Sequence, residues 1–185
     1  MPTKGQIIVN PITGDTFEFL ETSIDTQGKS VSIKTTLKSK GELVPNHFHL
    51  LQDESFTIIS GKLNIWLNGG NQTLSENETI TLPKNKAHNH FNNSDDEVTY
   101  VHYVSPALDF EYLIENLVGL ASDGKMVNGK AGLIQELVTL KYLDSKAFLA
   151  NIPVPIQKLL MNTIAPIARI FGYKAIYKKY SGIEK

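Results

Sequence analysis

The chain has no cysteine and a single arginine, Arg169. Without cysteine there is no disulfide framework and no thiolate ligand, so any metal must be held by nitrogen and oxygen donors. The lone arginine leaves the histidine-bearing part of the chain without a guanidinium fork for phosphate or carboxylate, which weighs against phosphosugar substrates. Charge of one sign is also missing: 18 basic and 19 acidic side chains give a formal net charge of −1. The chain as a whole therefore offers no general attraction to nucleic acid or to an anionic membrane. The most apolar stretch, Ile152 to Phe171, carries only Lys158 and Arg169 as charges. It also contains Pro153, Pro155 and Pro166 together with Gln157, Asn162 and Thr163, which argues against a membrane span. The opening residues hold only the short apolar run Ile7 to Val9, too little for a signal peptide, and a cytoplasmic location is expected.

At 185 residues, 41% hydrophobic and 20% charged, the chain suits one domain with a real core, or a small domain plus an appendage. Residues 5–104 have the texture of β structure. Thr16 to Thr22 and Ser30 to Leu37 alternate apolar or β-branched residues with polar ones, as half-buried strands do, and the segment from Asp25 to Lys29 supplies a turn. Further short runs follow at Glu54 to Ser60, Lys62 to Leu67, Gln72 to Leu74, Thr79 to Leu82, His88 to Asn92 and Glu97 to Val104, separated by Gly, Asn and Pro turns. Many short strands at such spacing predict a sandwich or barrel.

All five histidines fall between His47 and His102. In an extended strand alternate side chains share a face, so His47 and His49 present two imidazoles roughly 7 Å apart on one side. Glu54, past a short turn, and His88, far along the chain, complete three nitrogens and one oxygen, a set suited to borderline divalent metals.

These segments resemble the two sequence motifs of the cupin superfamily. Gly41, His47, His49, Glu54 and Gly61 fit every position of the first. Pro83, His88 and Asn92 fit the second, which departs at its two glycines, where this chain has Asn77 and Asn85. Asn is among the few residues that tolerate positive φ, so both departures are mild. The resemblance implies a mainly β fold, the double-stranded β-helix or jelly roll. It also implies His47, His49, Glu54 and His88 as ligands of one divalent transition metal (Fe, Mn, Ni, Zn or Cu), and a homodimer. Asn10, Pro11, Thr13 and Gly14, the junction from Ser105 to Glu111, and the tail residues Ala165, Pro166, Gly172 and Tyr173 also look like a bacterial branch of single-domain cupins with a C-terminal helical extension, mostly of unassigned activity.

The character changes at Ser105 and Pro106, which predicts a barrel domain over residues 1–104 and a helical extension over 105–185 packed on it. Ser105 is the expected N-cap of a first helix with Pro106 at its first position, and Phe110, Leu113, Ile114, Leu117, Leu120 and Ala121 recur at helical spacing. A second helix is expected from about Lys130 to Leu143. A third is expected from Ile156 to about Phe171, kinked or broken at Pro166.

A metal held by three imidazoles and a carboxylate keeps one or two positions open. That permits dioxygenase-like oxidation of a small organic molecule, or Lewis-acid isomerisation or hydrolysis. The alternative is a non-catalytic binder or sensor of a small ligand. No residue is singled out as catalytic. Phe56 and Ile58 share strand parity with Glu54 and are expected either to wall an apolar pocket or to be plain core. Gln52 is a candidate hydrogen-bond donor behind the ligands or a solvated turn residue, and His90 a fourth imidazole should Glu54 swing away, a pocket histidine that relays protons, or a wall or surface residue. His102 is read as core or surface rather than ligand. For the tail, packing on the barrel or on a partner subunit is preferred to a membrane-surface helix.

Overall fold

The structure is a computed structural model that describes residues 1–38, 40–41, 44–127 and 130–185. Glu42 and Leu43, inside the first motif, lie outside the described residues. In chain order the elements are β1 (Ile7–Val9), β2 (Thr16–Glu21), β3 (Val31–Leu37), β4 (His47–His49), β5 (Asp53–Ser60), β6 (Leu63–Leu67), β7 (Gly70–Leu74), β8 (Thr79–Leu82), β9 (His88–Phe91) and β10 (Val98–Ser105). There follow α1 (Phe110–Ser122), β11 (Met126–Val127), β12 (Lys130–Ala131), α2 (Leu133–Tyr142), β13 (Ala147–Leu149), α3 (Val154–Ile170) and α4 (Lys178–Ser181).

The strands form two antiparallel sheets, one in the order β1-β2-β3-β10-β5-β8 and one in the order β13-β4-β9-β6-β7, with β11 and β12 as a separate hairpin. This is the double-stranded β-helix with helices appended. Alternation puts Phe56, Ile58, Leu63, Ile65, Leu82, Val98 and Tyr100 between the sheets as one core, each such side chain contributing roughly 1.5–3 kcal/mol on burial. A second cluster, including Phe19, Ile33, Val104 and Phe110, seats α1 on the barrel.

Gly61 turns β5 into β6 at φ +79°, and an added methyl there would lie 2.6 Å from the Glu97 carbonyl oxygen, so only glycine fits. Asn77 and Asn85 sit at φ +67° and +63°. The two asparagines thus hold the left-handed turns for which the second motif uses glycine.

The helices differ from expectation at their edges. Ser105 closes β10 instead of capping a helix, and α1 begins only at Phe110, because Leu108 at φ +49° cannot belong to a right-handed helix. Lys130 and Ala131 pair with Val127 and Met126, which delays α2 to Leu133. α3 runs unbroken through Pro166; the exposed ring takes one N–H from the ladder while Met161, Ala165 and Ala168 bury the opposite side. The tail also returns a strand to the barrel: Ala147, Phe148 and Leu149 pair with His49, Phe48 and His47.

Candidate metal centre

β4 and β9 are adjacent, and their register sets His47 directly opposite His88. Asn85, in the turn before β9, donates its N–H to the carbonyl of His49 at 2.7 Å, so the two motifs are tied by backbone as well as by side chains. Glu54 enters from β5 in the other sheet. One donor atom from each of His47, His49, Glu54 and His88 lies within 4.8 Å of the others, and all four side chains are buried.

Hydrogen bonds fix which nitrogens point inward. His47 Nδ1 lies 2.8 Å from the carbonyl of Pro45, and His88 Nδ1 lies 2.8 Å from that of Lys86. A carbonyl can only accept, so each Nδ1 carries a proton, and in the neutral ring the inward-facing Nε2 presents a lone pair. His88 Nε2 stands 2.9 Å from Glu54 Oε2 yet has no hydrogen-bond partner. A lone pair facing a carboxylate in a buried site is unfavourable unless a cation lies among them. The residues therefore fit a divalent ion.

The electrostatics agree. Burial pushes the His47 imidazole down to about 4 and His49 also below its usual range, so both stay neutral, the form that ligates. Burial alone would raise the Glu54 carboxyl, but the imidazoles of His102, His88 and His49 beside it hold it well below the usual carboxylate range.

His102, on β10, was not expected here. Its Nε2 lies 3.3 Å from Glu54 Oε1 and has no hydrogen-bond partner, and its ring stacks on Phe56 at 4.4 Å. The signal available in sequence was parity, since Val98, Tyr100, His102 and Val104 alternate onto one face. His90 packs its ring 4.8 Å from that of Phe56, and burial pushes its imidazole down to about 3. Phe56 thus borders the cluster, while Ile58 belongs to the core next to it. Gln52 is buried, and its amide donates to the carbonyls of Pro106 (2.9 Å) and Ala107 (3.2 Å), anchoring the junction between β10 and α1.

Residues 35–104 match the cupin domain family. No curated protein sequence matches the chain. Solved structures similar to it include KdgF from a Halomonas species (15% identity, 53% of this chain and 84% of that one, TM-score 0.46). Another is a sugar phosphate isomerase of the cupin superfamily from Silicibacter pomeroyi (14%, 54% and 70%, 0.46). A third is the polyketide cyclase RemF from Streptomyces resistomycificus (17%, 49% and 64%, 0.44).

Proposed function

We propose that the protein holds one divalent transition metal on His47, His49, Glu54 and His88, and that it acts on a small organic molecule with dioxygen, as a dioxygenase-like oxidoreductase. The observation that carries this reading is the convergence of one donor atom from each of four buried side chains, with the Glu54 carboxylate 2.9 Å from a His88 Nε2 that has no hydrogen-bond partner. When bound, a metal on this donor set supplies Lewis acidity and, if it is iron, manganese, nickel or copper, redox chemistry at its open positions. The protein's own part is to keep His47 and His49 neutral by burial, to orient His47 and His88 through the Pro45 and Lys86 carbonyls, and to exclude water with Phe56 and the core behind it. His102, with Nε2 3.3 Å from Glu54 Oε1, borders the donor set from the neighbouring strand. With no arginine in the barrel, an uncharged or enolic substrate suits the site better than a phosphate ester. We further propose a cytoplasmic protein that pairs as a homodimer through its barrel sheets.

The filled barrel interior beside the cluster favours a second reading, a non-catalytic binder or sensor of a small ligand. Elemental analysis of untagged protein is expected to find one equivalent of metal in the wild type and none in His47→Ala or His88→Ala. Anaerobic loading with iron(II), manganese(II), nickel(II) or copper(II), followed by oxygen-uptake assays on catechols, flavonols and diketones, then separates the two readings. Metal binding without oxygen uptake under any loading selects the binder, and full metal content in both variants overturns the site.

A further inference from the structure

His102 is a buried imidazole beside the candidate centre that the donor set does not use. On β10 it stands directly opposite Phe56 of β5, while Val104 stands opposite Glu54. His102 is thus the diagonal neighbour of Glu54 across the two strands, within reach for long side chains. Its ring stacks on Phe56 at 4.4 Å and 19°, and meets Phe110, the first residue of α1, edge to face at 5.2 Å and 83°. Two aromatic neighbours leave the ring little freedom to turn, and its Nε2 lies 3.3 Å from Glu54 Oε1. Among the described residues, however, the donor atoms that gather within 4.8 Å of one another belong to His47, His49, Glu54 and His88. His102 reaches the carboxylate without joining that set.

The two oxygens of Glu54 keep different company. Oε2 lies 2.9 Å from His88 Nε2. The Nδ1 proton of that ring is directed at the Lys86 carbonyl, so in the neutral ring a lone pair faces Oε2. Oε1 has His102 Nε2 at 3.3 Å and His49 Nε2 at 3.5 Å. A carboxylate oxygen only accepts, so the tautomer of His102 that suits this place carries its proton on Nε2, opposite to His47 and His88. The contact is not lined up as a hydrogen bond. A small rotation about the last torsion of Glu54, which is soft for a carboxylate, lines it up.

We propose that His102 is a positioning residue, which donates its Nε2–H to Glu54 Oε1 and leaves Oε2 as the single oxygen offered to a metal ion. This role rests on the reading of His47, His49, Glu54 and His88 as a metal centre. A carboxylate that ligates through one oxygen takes one position on the ion instead of two, which keeps a further position open for a small organic ligand. The hydrogen bond is of the strong, charge-assisted kind, and partners of this type set the affinity and geometry of an ion they do not touch.

Copper(II) alone, added to wild-type protein, His102→Phe and His102→Gln, tests the role. Phenylalanine keeps the stack on Phe56 and removes the donor, whereas glutamine keeps an N–H at the reach of Nε2. Competition against a chelator should show His102→Phe binding about 10- to 100-fold more weakly, with most of the loss recovered in His102→Gln. The EPR spectrum of bound copper should change in His102→Phe, because Oε1 is then free to reach the ion, and return toward the wild type in His102→Gln. Pulsed EPR should count the same number of imidazoles in the wild type and in His102→Phe. Should a thermal melt show His102→Phe poorly folded, His102→Leu removes the same donor in a smaller volume. Unchanged affinity and spectrum without the donor overturn the proposal and leave the centre standing. Loss of one imidazole from the count does the same, since it would make His102 a ligand. Absence of copper binding by the wild type, or binding that survives His88→Ala, overturns the centre and the role of His102 with it.

Discussion

Gly61 and Asp109 show how single side chains carry the fold that presents the cluster. Gly61 meets two constraints at once, a left-handed φ and a backbone carbonyl 2.6 Å from where a methyl would sit. Gly61→Ala is therefore expected to cost about 2–4 kcal/mol in urea unfolding, whereas Gly5→Ala, at φ +81° with open space around it, should cost only the conformational part, ~1–2 kcal/mol. Asp109 receives the backbone N–H groups of Asp144 (2.9 Å) and Ser145 (2.7 Å) and the Lys185 ammonium (2.7 Å). Burial alone would raise its carboxyl, but these donors and the Ser145 hydroxyl hold it below the usual range. A depressed carboxylate contributes stability above its unfolded pKa, about 3.9, and loses it as pH falls through the lower folded value. Asp109→Asn should lower the melting temperature at neutral pH and flatten the acid side of the stability profile, and an unchanged acid side would remove Asp109 from this role.

At the scale of elements, the ligand strand depends on the tail. β13 is hydrogen-bonded along β4, residue against residue opposite His47 and His49, and the turn from β13 into α3 is closed by Gln157. Its carbonyl accepts the N–H of Leu149 at 3.0 Å while its amide donates to the carbonyls of Leu149 (2.9 Å) and Ile152 (2.6 Å). Gln157→Ala leaves the Leu149 N–H and the Ile152 carbonyl without those partners, a loss of about 2–3 kcal/mol. Because β13 borders β4, the same change should also weaken metal binding although no donor atom is altered. Isothermal titration beside a melt would show a drop in both, and stability lost with metal affinity intact would separate the strand from the centre.

For the whole molecule, the proposed ion joins the two sheets, with His47, His49 and His88 on one side and Glu54 on the other. Binding only to the folded state raises stability by mass action, about 2.7 kcal/mol at 100 times the dissociation constant. In a chain of this size that is roughly 5–10 °C in melting temperature. Wild-type protein stripped of metal should gain this on addition of the physiological ion, and His88→Ala should gain nothing; an equal gain in both would place metal binding elsewhere.

The amino-acid sequence alone determined the strands, the faces they bury, and the turn chemistry at Asn77 and Asn85, because alternation and φ preference are local properties carried by a few neighbouring residues. It also indicated which donors could meet, since the spacing of His47, His49, Glu54 and His88 is that of a known pair of motifs. Strand pairing decided the rest. His102 lies beside Glu54 because β10 runs next to β5. Residues 147–149 are a strand because β4 offers them a free edge, and α1 waits for Phe110 because Leu108 turns left-handed while Asp109 is spent on residues 144 and 145. A periodic pattern states which way a side chain points along its own strand, and only long-range hydrogen bonding and packing between distant segments settle what it points at.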